Sequence, residues 1–421
     1  MKRLYSLLIP CVACCAFLVL LWRGFKDRAY WRGLAERWGG GARRDGSSCM
    51  WLHAVSLGEM SAAAPLVRAL HALHKGLPVV LTSATPAGRM RAESLFGSFA
   101  DVRYLPYDTA GATRRFIGNV KPKFAIIMET ELWPNLYAAC GRGGIPVLLA
   151  NARLSARSVR RYRRLGSLTA GLFGGQVLIA AQSADDAARF VEIGAPLDRI
   201  CVAGNIKFDI ELRAATAGEG RALRTQFGTR PIWIAGSTHP GEDEVMLDAH
   251  RELLTSKPEA LLILVPRHKE RFDEVAALLQ AGAWKFARRS DPNARPAECQ
   301  VLLVDTLGEL QRLYASADLA FVGGSLVPIG GHNLLEPACL ALPVLSGPSN
   351  ANGKDIAAAL EAHGALKIVT DATQLAETLK GLFADASLRS RMGAAGQALV
   401  AANRGSVERL LKLIEPWAAG P

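Results

Sequence analysis

The sequence contains 421 residues, of which 50% are hydrophobic and 21% are charged, and its formal net charge is +12. This length exceeds one ordinary hydrophobic core and suits two domains of average size, and the composition excludes an intrinsically disordered chain. The positive charge indicates an anionic partner, which could be a nucleic acid, a phospholipid surface or a phosphorylated substrate.

The amino-terminal segment is uncharged from Leu4 to Trp22. About nineteen helical residues cover roughly the 30 Å hydrocarbon layer of a bilayer. Basic residues are more numerous after this segment than before it, which by the positive-inside rule places the body of the protein in the cytoplasm. We therefore predict a transmembrane anchor with its basic flank over residues 1–30. The alternatives are a cleaved signal peptide and a segment that kinks at Pro10 and lies in one leaflet.

Beyond the anchor, short β-like runs alternate with helical patterns, which is typical of parallel sheets with crossover helices. In the first half the predicted strands are 50–55, 78–82, 124–128, 147–150 and 177–181. The apolar spacing of residues 60–74 predicts a helix, and Pro65 should delay its regular hydrogen bonding to about Ser61 or Ala62.

A second series of strands begins near Pro231, in the stretches "PIWIAGS", "ALLILVP", "VLLVD", "LAFVGG" and "LPVLSG". Apolar periodicity fades between Asp209 and Thr229, so the domain boundary is predicted between Asp209 and Pro231. The predicted domains are 31–215 and 216–421. Two open α/β sheets of this kind would place a ligand cleft at the carboxyl ends of the strands, between the domains.

Polar residues follow the predicted strands of the first domain. Glu59 comes after "SLG" at a strand-to-helix turn, where it could be a helix-start carboxylate or a general base. "AIIMETELWPNL" runs from a buried strand into Glu129 and Glu131, one of which should face a polar site. "AGNIKFD" places Lys207 in a loop, where it could neutralise a phosphate or carboxylate or be a solvated surface lysine.

The second domain shows the same pattern. "WIAGSTHPGEDE" supplies Ser237, Thr238 and His239, "LILVPRHKERF" supplies Arg267 and His268, and "VDTLGEL" supplies Gly308 and Glu309. In "FVGGSLVPIGGHNLLEPACL" two glycine pairs frame a loop that opens a helix near Asn333. Such a loop lets the backbone approach a phosphate, and Glu336 could accept hydrogen bonds from a ribose. Together these loops predict a nucleotide site.

Other features of the sequence limit the reactions and partners that the protein can have. The eight cysteines lack metal-ligand spacing, and no zinc ligand set, Walker lysine or Gly-x-Ser-x-Gly elbow occurs, so we predict no metal and no serine hydrolase. "NARLSARSVRRYRRLG" concentrates arginines, which form either a solvated helix face or a contact with anionic headgroups or a phosphorylated lipid. They are Arg153, Arg157, Arg160, Arg161, Arg163 and Arg164.

These stretches resemble the 3-deoxy-D-manno-octulosonic acid (Kdo) transferase family of Gram-negative bacteria. The resemblance runs over essentially the whole chain, through "HAVSLGE", "YLPYD", "METELWPN", "NARLSARS", "GNIKFD", "STHPGE", "LVPRHKERF", "DTLGEL" and "GGSLVPIGGHNLLEP". It implies a GT-B fold of two Rossmann-like domains with an interdomain cleft, the first for the acceptor and the second for a CMP-sugar. One departure is Gly353, where relatives usually carry an aromatic residue.

The resemblance also implies the reaction. Kdo would pass from CMP-Kdo to a phosphorylated lipid A precursor (lipid IVA), with inversion and without metal or other cofactor, at the cytoplasmic face of the inner membrane. The implied catalytic residues are Glu59 as base, with Glu129, or alternatively Glu131, and Lys207 supporting the transition state. The implied CMP contacts are Pro266, Arg267, Leu307, Gly308, Glu309, Asn333, Leu334, Leu335 and Glu336.

Two other hypotheses about the function stay open. The first is a GT-B enzyme that uses a UDP-sugar, either a lipid glycosyltransferase or a sugar-nucleotide epimerase. The second is a non-catalytic, membrane-bound nucleotide or nucleic-acid binder, for which the arginine run is the argument. Against a nucleic-acid partner, the only aromatic side chain in that run that could stack on bases is Tyr162.

Overall fold

A computed structural model of the protein describes residues 2–41, 48–209, 216–293 and 295–419. The chain divides into two units, Met1–Asp209 with Arg404–Pro421, and Ile210–Asn403. Both units are built from parallel strands with helices between them, as the alternating sequence pattern predicts.

The first unit begins with the apolar helix α1 and continues into an α/β sheet. Its helices are α1 (Lys2–Gly24), α2 (Leu57–Ala62), α3 (Ala64–Leu73), α4 (Pro86–Phe96), α5 (Ala110–Val120), α6 (Pro134–Arg142), α7 (Ala156–Leu165), α8 (Ser167–Ala170) and α9 (Ala184–Glu192). Its strands are β1 (Cys49–His53), β2 (Val79–Ser83), β3 (Ala100–Tyr104), β4 (Pro122–Met128), β5 (Val147–Ala152), β6 (Val177–Ala181) and β7 (Ile200–Val202).

In the described residues of the first unit, the seven strands lie in the order β3-β2-β1-β4-β5-β6-β7. The order reverses direction between β1 and β4, which makes the carboxyl ends of these two strands the topological switch point. Both faces of the sheet are covered: Trp51 of β1 packs on Phe116 of α5, while its neighbour Leu52 packs in the cluster that contains Leu66 of α3.

The second unit repeats this plan. Its strands are β8 (Ile232–Thr238), β9 (Leu261–Pro266), β10 (Phe286–Arg288), β11 (Val301–Leu303), β12 (Leu319–Val322), β13 (Val344–Ser346) and β14 (Leu366–Ile368). Its helices are α10 (Thr216–Phe227), α11 (Glu242–Leu254), α12 (Phe272–Ala281), α13 (Leu310–Tyr314), α14 (Leu335–Cys339), α15 (Lys354–Ala362), α16 (Ala372–Ala384) and α17 (Ala386–Asn403). Its strand order, β10-β11-β9-β8-β12-β13-β14, places the switch point between β8 and β12.

The predicted helix over 60–74 is two helices in the structure. α2 begins at Leu57 because the Ser56 side chain accepts a hydrogen bond from the N–H of Glu59 and so caps the helix. The chain then breaks at Ala63, two residues before Pro65, whose ring cannot donate a backbone hydrogen bond and crowds the preceding turn. The start near Ser61 or Ala62 predicted from Pro65 is therefore wrong: the proline interrupts the helix without delaying it.

The last helix, α18 (Ser406–Ala419), belongs to the first unit, whereas the sequence assigns 216–421 to the second domain. Leu410 and Ile414 are buried in the same apolar cluster as Phe124 of β4, and burial of this face holds the helix in place. The carboxylate of Asp209 accepts hydrogen bonds from the backbone N–H groups of Gly405 and Val407, just before and within the first turn of α18.

α1 is long and apolar enough to cross a membrane: its segment Arg3–Gly24 has 22 residues and a mean hydropathy of 2.5. No other helix in the described ranges meets that test. The predicted apolar amino-terminal helix is therefore present.

Candidate active site

Three of the four predicted functional side chains of the first unit follow the two strands at its switch point. Glu59 lies in α2, directly after β1, and Glu129 and Glu131 follow β4. Lys207 lies in a short 3-10 turn (Ile206–Phe208) after β7. In open parallel sheets, ligands bind outside the carboxyl ends of the strands at such a switch point.

The Glu59 carboxylate is held by its own helix start. Its Oε2 accepts a hydrogen bond from the backbone N–H of Val55 at 2.9 Å, and its Oε1 accepts one from the Ser56 hydroxyl at 3.1 Å. Ser56 in turn accepts from the N–H of Glu59 at 3.3 Å. The arrangement is a variant of the capping box, in which the carboxylate accepts from the N–H of Val55, one residue before the cap. Glu59 therefore does serve as a helix-start carboxylate. The same bonds fix the direction in which the carboxylate points.

Burial sets the electrostatics of Glu59. Desolvation raises the pKa of its carboxyl above the usual value, and repulsion from Glu129 adds to this rise. The hydrogen bonds from Val55 and Ser56 and the charge of Lys207 oppose it. The net rise is in the direction that makes a carboxylate a better base. Glu129 and Lys207 thus both lie close enough to act on the Glu59 carboxylate. The catalytic roles of the three residues stay a prediction.

Glu129 and Glu131 differ in how they are held. Glu129 has φ of 58°, a left-handed backbone that is uncommon for residues other than glycine, and its N–H donates to the Ala150 carbonyl at 2.9 Å. Such strain concentrates at functional sites. Glu131 accepts a hydrogen bond from Trp133 Nε1 at 2.7 Å, and burial together with repulsion from Glu59 and Glu129 raises its pKa to about 7. Both carboxylates lie within electrostatic reach of Glu59.

The loop that carries Lys207 is held by Asn151, a residue to which the sequence reading gave no role. Asn151 Oδ1 accepts from the N–H of Ile206 at 3.0 Å, and Asn205 Oδ1 accepts from the N–H of Lys207 at 3.0 Å. Asn151 is buried and has φ of 54°, a conformation that asparagine tolerates better than most residues. Asn151 lies inside β5, and its partner Ile206 is 55 positions away, so no local pattern indicated this role.

The arginine run begins at the same edge of the sheet, because α7 follows β5. Five of its arginines lie in α7 and are exposed: Arg157, Arg160, Arg161, Arg163 and Arg164. Tyr162 packs its ring on the core of the unit beneath them. The first unit therefore presents a cationic surface next to its carboxylate site.

In the second unit, histidines from three loops meet at the switch point between β8 and β12. His239 Nε2 and His332 Nε2 lie 2.9 Å apart, and the ring of His268 meets that of His239 edge-on with centroids 5.3 Å apart. Desolvation, mutual repulsion and the nearby charge of Arg267 lower the pKa of His239 and bring that of His332 to about 4. These shifts favour the neutral form of His239 and His332 at pH 7. Because one of the two rings uses its single N–H to donate to the other, only the accepting ring keeps an N–H that can donate to an anion beside Arg267.

A buried carboxylate organises this site. Glu242 Oε2 accepts from the N–H groups of His239 at 2.9 Å and Gly324 at 2.7 Å, and Oε1 accepts from those of Ser325 and Leu326, both at 2.9 Å. Its side chain is fully buried. In this stretch the sequence pattern indicates Ser237, Thr238 and His239 but assigns no role to Glu242. Glu242 instead ties the loop after β8 to the glycine loop after β12.

Gly323 shows why this loop needs glycine. A Cβ at this position would lie 2.5 Å from the Ser237 carbonyl oxygen and 2.9 Å from Glu242 Oε2. Contacts below 3.0 Å are not tolerated, so any side chain would push the two loops apart.

Some of the predicted CMP contacts lie in the same region. Arg267 is exposed directly after β9, which ends at the buried Pro266, and its charge lowers the pKa of the Glu336 carboxyl while burial raises it. Asn333 donates to Glu336 Oε1 and accepts from the N–H of Leu335, each at 3.2 Å. Arg267 and Glu336 thus lie near one another, as the sequence predicts.

The remaining predicted contacts are placed differently. The side chains of Leu334 and Leu335 are buried, so only their backbone groups can face a ligand. Leu307 is 69% exposed and Gly308 has φ of 82°. Glu309 is engaged by its own unit, since it accepts from Arg289 and the Thr306 hydroxyl and pairs with Arg312. The CMP contacts as a set stay a prediction.

The described residues contain no group of three or more His, Cys, Asp or Glu side chains arranged to hold a metal ion. What they do contain is a carboxylate with a raised pKa beside a lysine in one unit and neutral histidines beside an arginine in the other. The first set can take a proton from a hydroxyl, and the second can bind a phosphate or carboxylate.

Comparisons with known proteins agree with this chemistry. Residues 32–210 match the model of a family described as 3-deoxy-D-manno-octulosonic-acid transferase (kdotransferase). The chain is 41% identical over 410 residues to a 3-deoxy-D-manno-octulosonic acid transferase of Haemophilus influenzae, covering 96% of each chain. It is also 41% identical over 377 residues to the enzyme of that name from Bordetella pertussis, covering 87% of each.

Among solved structures, UDP-GlcNAc 2-epimerase from Neisseria meningitidis bound to UDP-GlcNAc is similar over 87% of this chain and 100% of that one. The TM-score is 0.52 and the sequence identity is 18%. A likeness at that identity shows the fold, and it confirms the predicted class: two Rossmann-like α/β units of the GT-B type.

Proposed function

The chain belongs to the 3-deoxy-D-manno-octulosonic acid (Kdo) transferase family, and on this premise we propose that it transfers Kdo from CMP-Kdo to a phosphorylated lipid A precursor, lipid IVA. It is a glycosyltransferase of lipopolysaccharide biosynthesis. The observation that carries the proposal is the position of Glu59, whose half-buried carboxylate stands at the switch point of the first unit beside Glu129 and Lys207.

Glu59 acts as the general base. A sugar hydroxyl of the acceptor gives its proton to the Glu59 carboxylate while its oxygen attacks the anomeric carbon of Kdo. The bond between that carbon and the phosphate oxygen of CMP breaks, and its electron pair leaves with CMP. Attack from the face opposite CMP inverts the anomeric carbon. The raised pKa of Glu59 supports this role because it strengthens the base while the bonds from Val55 and Ser56 keep it aimed.

Lys207 offsets negative charge that develops in the transition state. The carboxylate of Glu129, or alternatively that of Glu131, also supports the transition state through its charge. The leaving CMP carries its charge on phosphate oxygens, which cationic and hydrogen-bonding side chains stabilise. We infer that no metal takes part, because Lys207 and Arg267 supply positive charge directly. Full turnover after exhaustive chelation would support this inference, and restoration of a lost rate by a divalent cation would contradict it.

CMP-Kdo binds to the second unit. Its phosphodiester and the Kdo carboxylate are anions. At the strand ends Arg267 provides a fixed positive charge, and the His239–His332 pair provides one neutral donor. The glycine loop tied down by Glu242 lets backbone approach the phosphate. Leu307 to Glu309 and Asn333 to Glu336 remain proposed nucleotide contacts.

The acceptor is a lipid, so the protein works at a membrane. We propose the cytoplasmic face of the inner membrane, with α1 as the attachment. The exposed arginines of α7 face the phosphates of the lipid acceptor or the anionic headgroups around it. Apolar attachment together with a basic patch is the combination that gives stable membrane binding.

The proposal is tested by incubating the purified full-length chain with CMP-Kdo and a bis-phosphorylated, tetra-acylated lipid A precursor, followed by mass spectrometry. Mass increments of one or more Kdo residues are expected. Glu59→Ala should abolish transfer while CMP still protects the protein against thermal unfolding. Substitution of the exposed Glu244 by Gln is the matched control and should leave transfer intact. Substantial transfer of Kdo by Glu59→Ala would contradict the assignment of Glu59 as the general base.

The competing reading, an enzyme that uses a UDP-sugar, has one observation in its favour: the fold similarity to UDP-GlcNAc 2-epimerase. Protection of the protein by UDP or by CMP distinguishes a UDP-sugar enzyme from a CMP-Kdo enzyme. Protection against thermal unfolding by UDP and not by CMP would favour the UDP-sugar enzyme, and the reverse is expected.

A further inference from the structure

α1 packs along the first unit through one of its faces. Residues at helical spacing on that face are partly or fully buried, and Ala13 at its centre is 4% exposed. The opposite face is apolar and exposed, with exposed fractions between 49% and 72% for Leu4, Leu7, Val12, Leu18, Val19 and Trp22. α1 therefore has a protein side and an apolar outer side.

The amino-terminal end of α1 is tied to the first unit by two polar contacts. The Tyr5 hydroxyl donates to Asp108 Oδ2 at 2.9 Å, and the Ser6 hydroxyl donates to Asn135 Oδ1 at 2.7 Å. Asp108 also accepts from the N–H groups of Asn135 and Leu136, the second and third residues of α6. The first turn of α1 is thus fixed at the amino terminus of α6.

That end of α6 adjoins the carboxylate site. Trp133, the residue directly before α6, donates its indole N–H to Glu131 at 2.7 Å. Asn135, which Ser6 contacts, lies two positions after Trp133. The start of α1 therefore lies at the edge of the sheet that carries the glutamates.

The carboxyl-terminal end of α1 contacts the same unit. Trp31 Nε1 donates to the Leu21 carbonyl at 3.0 Å, and the ring of Phe17 meets that of Trp38 edge-on at 5.7 Å. Gly24 lies so close to Trp31 that a Cβ there would fall within 2.0 Å of the indole ring. Both ends of a helix of 23 residues, about 34 Å long, are held against one globular unit.

These contacts bear on how α1 meets a membrane. A helix that crosses a bilayer places its two ends on opposite faces, roughly 30 Å apart along the normal. If the body lies on the side of Gly24, Tyr5 would then be beyond reach of Asp108. The contacts at both ends of α1 are compatible only with a helix that lies beside the unit.

We propose that α1 lies along the cytoplasmic leaflet as an interfacial helix, docked on the first unit by its inner face, and that its exposed apolar stripe is covered by lipid acyl chains. The chemistry of the stripe and its flanks selects this occupant. Large aliphatic residues fill the stripe, Trp22 closes it, and Arg23, Lys26 and Arg28 follow, as in helices that seat in the headgroup boundary of anionic membranes.

This placement has a consequence for the reaction, which rests on the proposed function. With α1 in the leaflet and its first turn beside α6, the edge that carries Glu59 and Glu131 stands at the membrane surface. The sugar of a lipid acceptor emerges from the membrane at that level, so its acyl chains can stay in the leaflet during transfer. In this placement α1 is attached along one leaflet, whereas the sequence predicts that it crosses the bilayer once.

The test measures the depth of α1 in lipid directly. Spin labels are placed one at a time on Leu4→Cys, Val12→Cys and Val19→Cys of the full chain, after the exposed Cys11, Cys14, Cys15 and Cys201 are changed to alanine. Immersion depth is then read by electron paramagnetic resonance in phosphatidylethanolamine and phosphatidylglycerol vesicles. Similar, shallow depths at all three positions are expected. A deepest value at position 12 would show a spanning helix, and equal exposure to water at all three would show that lipid does not cover the stripe.

A second measurement tests the docked end in native membranes. Ser6→Cys combined with Asn135→Cys should be joined by a short bis-maleimide linker, whereas Ser6→Cys combined with the exposed Leu197→Cys should not. Lys2→Cys should react with an impermeant maleimide in inverted vesicles and not in spheroplasts. Labelling of Lys2→Cys in spheroplasts without the crosslink would overturn the proposal. Neither readout depends on Kdo transfer, so failure here is distinct from failure of the proposed function.

Discussion

Ser56 and Glu59 form a reciprocal pair in which the serine hydroxyl accepts from the glutamate N–H at 3.3 Å and donates to its carboxylate at 3.1 Å. The same two hydrogen bonds cap the start of α2 and fix the orientation of the Glu59 carboxylate. The structural role of Glu59 is therefore compatible with its proposed catalytic role, because the cap that stabilises the helix also holds the side chain at the switch point of the sheet.

Removal of this cap should shift the pH dependence of transfer. In Ser56→Ala, Glu59 loses a hydrogen bond that lowers its pKa, so its pKa rises and the acidic limb of the kcat profile moves to higher pH. The unfolding free energy should also fall by about 1 kcal/mol. Ser155→Ala is the matched control, since Ser155 caps α7 in the same way: it should lower stability without moving the limb. An unshifted limb in Ser56→Ala would contradict the role of Glu59.

Glu131→Gln should raise the unfolding free energy above that of the wild type by more at pH 8 than at pH 5. Burial raises the Glu131 pKa to about 7, above its value in the unfolded chain. Its ionisation therefore opposes folding, and stability that is present below about pH 4.5 is lost as the pH rises through 7. Glutamine removes that loss. Thermal unfolding at several pH values checks this, with the exposed Glu192→Gln as control. A stability difference between wild type and variant that does not change with pH would contradict the assignment.

Glu242→Gln should weaken the second unit. The carboxylate accepts four backbone N–H groups, and an amide in its place presents its NH2 to at least one of these donors. The unfolding free energy should fall by about 3 kcal/mol, the cost of leaving buried donors poorly paired. Chemical denaturation measures the change. Glu244→Gln, in the same turn but exposed, should change stability by less than about 0.5 kcal/mol.

Arg267→Ala should weaken CMP binding by about 10-fold or more, because hydrogen bonds to charged groups contribute about 1.5–3 kcal/mol each. Arg267→Lys should recover only part of this loss, since the lysine ammonium lacks the planar fork of N–H groups with which a guanidinium binds two phosphate oxygens. Isothermal titration with CMP gives the affinities. Lys269→Ala, at an exposed position nearby, should bind CMP as the wild type does, and equal losses in both variants would indicate only a general effect of charge.

The sheet interiors were predictable from sequence, whereas their edges were not. The ten predicted strands correspond to β1, β2, β4, β5 and β6 in the first unit and β8, β9, β11, β12 and β13 in the second. The strands that went unpredicted, β3, β7, β10 and β14, are the four edge strands. Interior parallel strands are buried on both faces and read as apolar runs, while edge strands are short or carry charges, as Asp101 and Arg103 do in β3.

The predicted site residues were similarly divided. The placement of residues that follow strands, such as Glu59, Glu129 and Arg267, could be predicted because parallel strands end at one edge of a sheet. Glu242 and Asn151 could not, because each acts on backbone N–H groups from a distant part of the chain. No local pattern specifies such partners.

The sequence by itself determined the alternation of strands and helices, the apolar helix α1 and the polar loops at the strand ends, because burial and backbone chemistry act on neighbouring residues. Only the tertiary structure decided that α18 returns to the first unit, that His239 meets His332, and that Tyr5 contacts Asp108. These contacts join residues between 93 and 295 positions apart. They form because folding buries one particular apolar face against another and then pairs the polar groups left at the boundary.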